Sequence, residues 1–210
     1  MHDFRVALMT ALRINVTEKT TAMRILCFGD SITASGSWLP IVAKAASLEL
    51  INAGVSGRKA AEAKTALADY LAKYTDLDRI IMILGVNDLP ARDKRPGSVK
   101  VAACVSHMSE AIDLALTRFK PNDIILAAPC GVNPATMSQV NLEKGYDITP
   151  PLLTQMEAGY QALAQTKAVQ FLSLLNVVSK DNYNDGLHPN DDGDAEIARA
   201  ISAFLAIHAG

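Results

Sequence analysis

Five short stretches of this chain, Arg24–Gly29, Leu48–Ala53, Arg79–Leu84, Asp123–Ala128 and Val169–Leu174, are nearly continuous in Ile, Leu, Val, Phe or Met. A strand with one face in water alternates apolar and polar residues. An unbroken apolar run instead suits a strand covered on both faces, the condition of a parallel sheet between helical layers. The segments between the runs have helical spacing. Ala60, Ala63, Leu67 and Leu71 recur within Lys59–Tyr74, and Val101, Val105, Met108, Ile112 and Leu116 within Ser98–Phe119, with Pro121 just beyond. Pro151–Thr166 repeats the pattern more weakly. Asp191–His208 carries Ile197, Ile201 and Leu205 four apart, and opens with Asp191, Asp192 and Asp194, which suit the positive end of a helix. Strand-like runs alternating with helix-like segments predict an α/β fold with a parallel sheet.

At 210 residues the chain is long enough for one well-buried core and short for two ordinary domains. We therefore expect a single domain over residues 23–210, preceded by a flexible extension at residues 1–22. That extension has apolar residues (Phe4, Val6, Leu8, Met9, Leu12), but Arg5 and Arg13 interrupt them and no small-residue cleavage site follows. It makes a poor secretion signal, and cytoplasmic residence is the expectation. No stretch reaches the roughly 20 apolar residues that span a bilayer. A formal charge of -2 with scattered Lys and Arg gives no electrostatic reason to expect nucleic acid. Three cysteines, Cys27, Cys104 and Cys130, lie far apart with no metal-ligand spacing and no even count to pair, so we read them as buried structural residues and expect neither metal nor disulfide.

Chemistry enters at Gly29-Asp30-Ser31-Ile32-Thr33, directly after the first apolar run. A serine hydroxyl is a weak nucleophile until a base takes its proton. A strand-to-helix turn would expose it beside the unpaired N–H groups of a helix start, which can face a developing oxyanion. The plainer alternative is that Ser31 or Asp30 only caps a helix.

A base is available in Asp185-Gly186-Leu187-His188-Pro189. An Asp three residues before a His can hold its Nδ1–H while Nε2 faces the serine. Of the four histidines, His2 and His208 are terminal, and His107 lies within a helical pattern. His188 alone is flanked by turn residues. Two further clusters follow strand-like runs: Asn52–Arg58, where Gly57 offers an unobstructed N–H, and Gly85–Asp88, where Asn87 offers an amide. Taken singly, each is as well explained by turn chemistry.

In order, the four blocks are Ser, Gly, Asn and His. That arrangement resembles the SGNH (GDSL-type) hydrolase family, with Gly29–Thr33, Asn52–Gly57, Gly85–Asp88 and Asp185–His188 as its nucleophile, glycine, GxND and DxxH blocks. The resemblance runs from Arg24 to the last helix. It implies a flavodoxin-like α/β/α sandwich with a five-stranded parallel sheet. It also implies that Ser31 is the nucleophile, His188 the base, Asp185 the orienting carboxylate, and Ser31 N–H, Gly57 N–H and the Asn87 side chain the oxyanion hole, with no cofactor.

Arg24–Thr33, Leu77–Asp88 and Ala91–Met108 look like the branch of bacterial arylesterases and acyltransferases, which is often oligomeric and so implies a homo-oligomer. In that branch's best-known acyltransferase the second-block glycine is replaced. Gly57 is present here, which argues against strong acyl transfer.

The function expected is hydrolysis of small, short-acyl esters. Trp38, Leu89, Pro90 and the one long connection without periodicity, Gly131–Pro150, are the candidates for the pocket wall, with a core position the alternative for Trp38. Carbohydrate acetylesterase, thioesterase and lysophospholipase activities share the four blocks. A catalytically idle scaffold is opposed by the intact triad. A nucleotide-binding protein ranks last, because one glycine stands where a GxGxxG loop needs three.

Overall fold

In a computed structural model, which describes residues 22–207, each expected strand is present to within one residue at either end. The strands are β1 (Arg24–Gly29), β2 (Glu49–Gly54), β3 (Arg79–Ile83), β4 (Ile124–Ala128) and β5 (Gln170–Ser173). They form one parallel sheet in the order β2-β1-β3-β4-β5. The extension expected at residues 1–22 lies, apart from Ala22, outside the described residues.

Successive strand residues serve different layers, which explains the unbroken apolar runs. On one face, Leu26, Phe28, Ile80, Met82 and Leu126 pack under helices α3 (Ala63–Lys73), α4 (Gly97–Ala115) and α6 (Pro150–Lys167). On the other face, Ile25, Cys27, Ile81, Ile83 and Ile125 pack under α2 (Trp38–Ala46) and α7 (Asp191–Ile207). The predicted helical stripes are the buried ones: Leu67 and Leu71 of α3, Met108 and Ile112 of α4, Ile197 and Ile201 of α7. Each fully buried side chain of this size contributes roughly 1.5–3 kcal/mol. The result is the expected α/β/α sandwich. The edge strand β2 is the least buried, with Glu49 and Asn52 exposed. All three cysteines are buried and unpaired, and burial pushes their thiols above the ordinary range.

Two expectations need correction. The aperiodic connection at residues 131–150 is partly helical: a 3-10 turn spans Pro134–Thr136 and helix α5 spans Gln139–Lys144. Six residues are too few to show a period, and α5 is fixed instead by its ends. The Ser138 hydroxyl accepts from Asn141 N–H, and Gly145 closes the helix in the left-handed region.

The pocket wall is also different. Trp38 has no exposed surface; it lies in the core beneath α7, its indole N–H 3.3 Å from the Ile32 carbonyl. Leu89 is equally buried, and Pro90 is buried beside it. The buried Lys100 ammonium donates to the carbonyls of Leu89 (2.5 Å) and Pro90 (3.0 Å), tying this turn to α4. These three residues are packing, not pocket.

Candidate active site

The order β2-β1-β3 means that the chain leaves β1 for one side of the sheet and later returns on the other. Such a switch point opens a crevice beyond the strand C-termini. The glycine block follows β2, the serine block β1 and the asparagine block β3, so three adjacent strands deliver three of the four blocks to one edge.

Ser31 begins the single-turn helix α1 (Ser31–Ala34). The capping role falls to Asp30, whose Oδ1 accepts from Ile32 N–H at 3.1 Å. That leaves the Ser31 hydroxyl for another partner, and it lies 2.9 Å from His188 Nε2. On the far side of the ring, His188 Nδ1 is 2.9 Å from Asp185 Oδ2. A carboxylate can only accept, so this pairing selects the tautomer with the proton on Nδ1 and a lone pair on Nε2.

Asp185 Oδ1 accepts from the N–H groups of Leu187 (3.1 Å) and His188 (2.8 Å). Burial pushes the Asp185 carboxyl up, but the bonds from the His188 N–H and ring and from Leu187 N–H together outweigh it. They bring it down to about 2. The carboxylate therefore stays ionised throughout the neutral range.

The turn carrying this pair is fixed from outside. Gly186 has φ +77°, and its carbonyl accepts from Asn133 N–H at 2.7 Å. The Asp185 carbonyl accepts from Ser138 N–H (3.0 Å) and from the Asn141 amide (3.3 Å). Both donors come from the short helix α5 and its cap, so the segment at residues 131–150 supports the site.

Asn87 sits in a 3-10 turn (Val86–Asp88) after β3 and is 3 % exposed. Its amide nitrogen is 3.2 Å from the Arg58 carbonyl and 3.4 Å from Asp30 Oδ2. One side chain thus touches the residue after Gly57 and the residue before Ser31. Both contacts are long, so one amide hydrogen can shift to a substrate oxygen; such bonds commonly tighten only around substrate. Gly57 is exposed with φ +78°, and among the described residues its N–H has no acceptor.

Two residues of this network, Tyr146 and Arg58, were not anticipated, and a third, Asp30, was foreseen only as a helix cap. Tyr146 is 4 % exposed and donates its hydroxyl to Asn87 Oδ1 at 2.6 Å. Arg58 is 5 % exposed, and its Nη1 donates to the carbonyls of Gly29 (2.9 Å) and Ala53 (2.5 Å). The guanidinium carbon lies 4.3 Å from the centre of the Phe28 ring. It binds the ends of β1 and β2 together directly behind Gly57. Asp30 has no exposed surface; burial, opposed by the Ile32 N–H and the His188 charge, pushes its carboxyl up to about 7. The adjacency of Asp30 to Ser31 and of Arg58 to Gly57 was the only sequence signal available, and Tyr146 had none.

Among the described residues no cluster of three or more His, Cys, Asp or Glu side chains could hold a metal ion, and no helix is long and apolar enough to cross a membrane.

Comparison with curated proteins gives no match. Several solved structures share the fold. A carbohydrate acetylesterase from Sinorhizobium meliloti is 21% identical over 88% of this chain and 99% of its own, with TM-score 0.71. An inhibitor-bound aryl esterase from M. smegmatis is 23% identical over 89% and 99%, with TM-score 0.75. A lipase/acylhydrolase from Enterococcus faecalis is 18% identical over 87% and 95%, with TM-score 0.67. The family model described as GDSL-like Lipase/Acylhydrolase family matches residues 27–195. That match takes in Ser31 near one end and His188 near the other, so the chain belongs to the GDSL-like lipase/acylhydrolase family of ester-cleaving hydrolases.

Proposed function

We propose that this chain is a serine esterase that hydrolyses small, short-acyl esters through a covalent acyl-serine intermediate. The observation that carries the reading is the pair of 2.9 Å contacts linking Ser31 Oγ to His188 Nε2 and His188 Nδ1 to Asp185 Oδ2. As Ser31 Oγ attacks the carbonyl carbon, its proton passes to Nε2, and the ionised Asp185 stabilises the imidazolium. The oxygen that becomes negative is held by Ser31 N–H, Gly57 N–H and the Asn87 amide. His188 then returns the proton to the departing alcohol oxygen. A water, deprotonated in turn by His188, attacks the acyl-serine and releases the acid.

A short acyl group is supported by the burial of Trp38, Leu89 and Pro90, which leaves those side chains no apolar slot to offer a long chain. The test is hydrolysis of p-nitrophenyl acetate, butyrate and octanoate by the protein and by Ser31→Ala across pH 5 to 9. The expected result is activity greatest on the acetate, abolished by Ser31→Ala, and declining toward acid pH, as a general-base mechanism requires. Activity that survives Ser31→Ala would overturn the mechanism, and a preference for octanoate would overturn the short-acyl assignment.

A further inference from the structure

Beside His188, on the side of α1 and the turn leading to α2, lies a cavity of about 160 Å³ that the mechanism above leaves unused. At roughly 30 Å³ per water it would hold about five waters. Its walls include His188 itself, Ser35, Ser37, Asn184, and Asp191 and Asp194 from the first turn of α7. Among the described residues no Phe, Tyr or Trp contributes to it.

The polar groups of this cavity are mostly acceptors with capacity left over. Asp194 is 6 % exposed; its Oδ2 accepts from Ser37 N–H at 2.8 Å, and its other oxygen has no donor among the described residues. That oxygen is not itself fully buried, so water reaches it in the free protein and a ligand hydroxyl can take the water's place. Ser35 gives its hydroxyl proton to the Ser31 carbonyl at 2.7 Å and keeps its lone pairs. The Asn184 amide nitrogen donates to the Pro189 carbonyl at 3.0 Å, leaving Oδ1 unused. Asp191 is exposed at the mouth. A ligand here must supply several hydrogen-bond donors at close spacing.

The position of the cavity says which half of the ester it would take. His188 delivers its proton to the departing alcohol oxygen, so a space walled by His188 adjoins the alcohol and not the acyl group. Two kinds of alcohol are rich in donors: polyols, including sugars, and amino alcohols. An ammonium would be drawn to Asp191 and Asp194, but it would also stand beside the imidazolium as it forms, where like charges repel. There is also no aromatic face to hold a quaternary cation. Neutral hydroxyls meet neither obstacle, and hydroxyls on adjacent carbons match a carboxylate flanked by serine and asparagine oxygens.

We infer that the cavity bounded by His188, Ser35, Ser37, Asn184, Asp191 and Asp194 is the leaving-group subsite, built for the hydroxyls of a polyol or sugar alcohol carrying the ester. The inference rests on the esterase reading given above.

The experiment compares four acetates that share one acyl group: p-nitrophenyl acetate, butyl acetate, glycerol monoacetate and acetylcholine. Each is assayed with the protein, Asp194→Asn and Asp191→Asn. The expected kcat/KM for glycerol monoacetate exceeds that for butyl acetate and acetylcholine by about tenfold or more, the worth of one hydrogen bond to a charged group. In Asp194→Asn the ratio of glycerol monoacetate to butyl acetate falls at least fivefold, chiefly through KM. A smaller fall is expected for the exposed Asp191→Asn. Equal rates for glycerol monoacetate and butyl acetate overturn the subsite, as does a preference for acetylcholine. A ratio unmoved by both variants overturns it too. If Asp194→Asn does not fold, the unmodified protein's own ratio and Asp191→Asn still decide. Failure to hydrolyse even p-nitrophenyl acetate is a different result and removes the esterase reading itself.

Discussion

The Tyr146 hydroxyl donates to Asn87 Oδ1 at 2.6 Å, between two buried side chains. An amide can turn about its last bond and exchange its oxygen for its nitrogen. The Arg58 carbonyl can only accept, so it holds the nitrogen on its side, and the Tyr146 hydroxyl secures that arrangement by donating to the oxygen. The Asn87 nitrogen is thereby turned toward Asp30, Arg58 and the expected oxyanion.

Tyr146→Phe is accordingly expected to lower kcat about tenfold with little change in KM. The loss corresponds to one hydrogen bond of roughly 1–1.5 kcal/mol that acts on orientation. Asn87→Ala, which removes the proposed oxyanion donor, should cost about 10² to 10³ in kcat. The decisive measurement is the double variant. If Tyr146 works only through Asn87, adding Tyr146→Phe to Asn87→Ala has almost no further effect; independent, additive losses would refute a positioning role.

Arg58 is a buried cation with no carboxylate partner among the described residues, held by two carbonyls and the Phe28 face. Replacing it by Met takes a donor from both carbonyls, although Gly29 keeps its bond from Val55 N–H (3.1 Å). The expected loss of stability is about 1–3 kcal/mol, the cost of one buried group left short of a partner. Arg58→Lys keeps the charge but not the planar fork or the stacking, and should recover less than half of that loss. Urea denaturation of the two variants checks both statements. A Met variant as stable as the parent would show that the guanidinium does not hold the glycine loop.

These two residues illustrate where the sequence stops being informative. The strands were legible because both faces of each are covered, which writes burial as an unbroken apolar run. The four blocks were legible because each is a short local motif. Tyr146 lies 59 residues from Asn87 and shares no motif with it, so their contact exists only once α5 has folded across the site. Arg58 reads in the sequence as one more charged loop residue; its burial follows from the stacking of Phe28 and Tyr70 around it. Trp38 failed in the opposite direction. A lone tryptophan near a catalytic block suits a pocket or a core equally, and only its position beneath α7 decides.

Asp30 has an acid–base consequence. Its carboxyl ordinarily titrates near 3.8 and is pushed up to about 7, first by burial, against the Ile32 N–H and the His188 charge. Between those values the unfolded chain has lost the proton that the folded protein keeps. Folding therefore loses stability as pH rises from about 4 toward 7, and this contribution is full only below pH 4. Asp30→Asn cannot ionise, so the variant should lack that part of the slope. The measurement is Tm against pH for both proteins. Their difference should shift in favour of the variant as pH rises from 4 to 7 and stay level above; a constant difference would mean that Asp30 is ionised in the folded protein throughout.

Gly57 and Gly186 share almost the same backbone, φ +78° and +77°, yet should respond very differently to Ala. At Gly57 an added Cβ meets nothing within 4 Å. Gly57→Ala incurs only the left-handed penalty, about 1–2 kcal/mol, and should fold. At Gly186 the Cβ would stand 2.5 Å from the Met137 Cα and 2.6 Å from the Asn133 carbonyl. Backbone on both sides cannot yield as a side-chain tip can, so the turn itself must move, carrying Asp185 and His188 with it. We expect Gly186→Ala to lose well over 2 kcal/mol, and its surviving folded fraction to lose reactivity toward a fluorophosphonate at Ser31. Gly57→Ala should still be labelled, at a reduced rate, because the contacts among Ser31, His188 and Asp185 are untouched and only the loop bearing one proposed oxyanion donor is strained. Denaturation curves and labelling rates for the two variants make the comparison. Equal behaviour would show that the left-handed backbone alone, and not the packing of the Asp185–His188 turn, sets the demand for glycine.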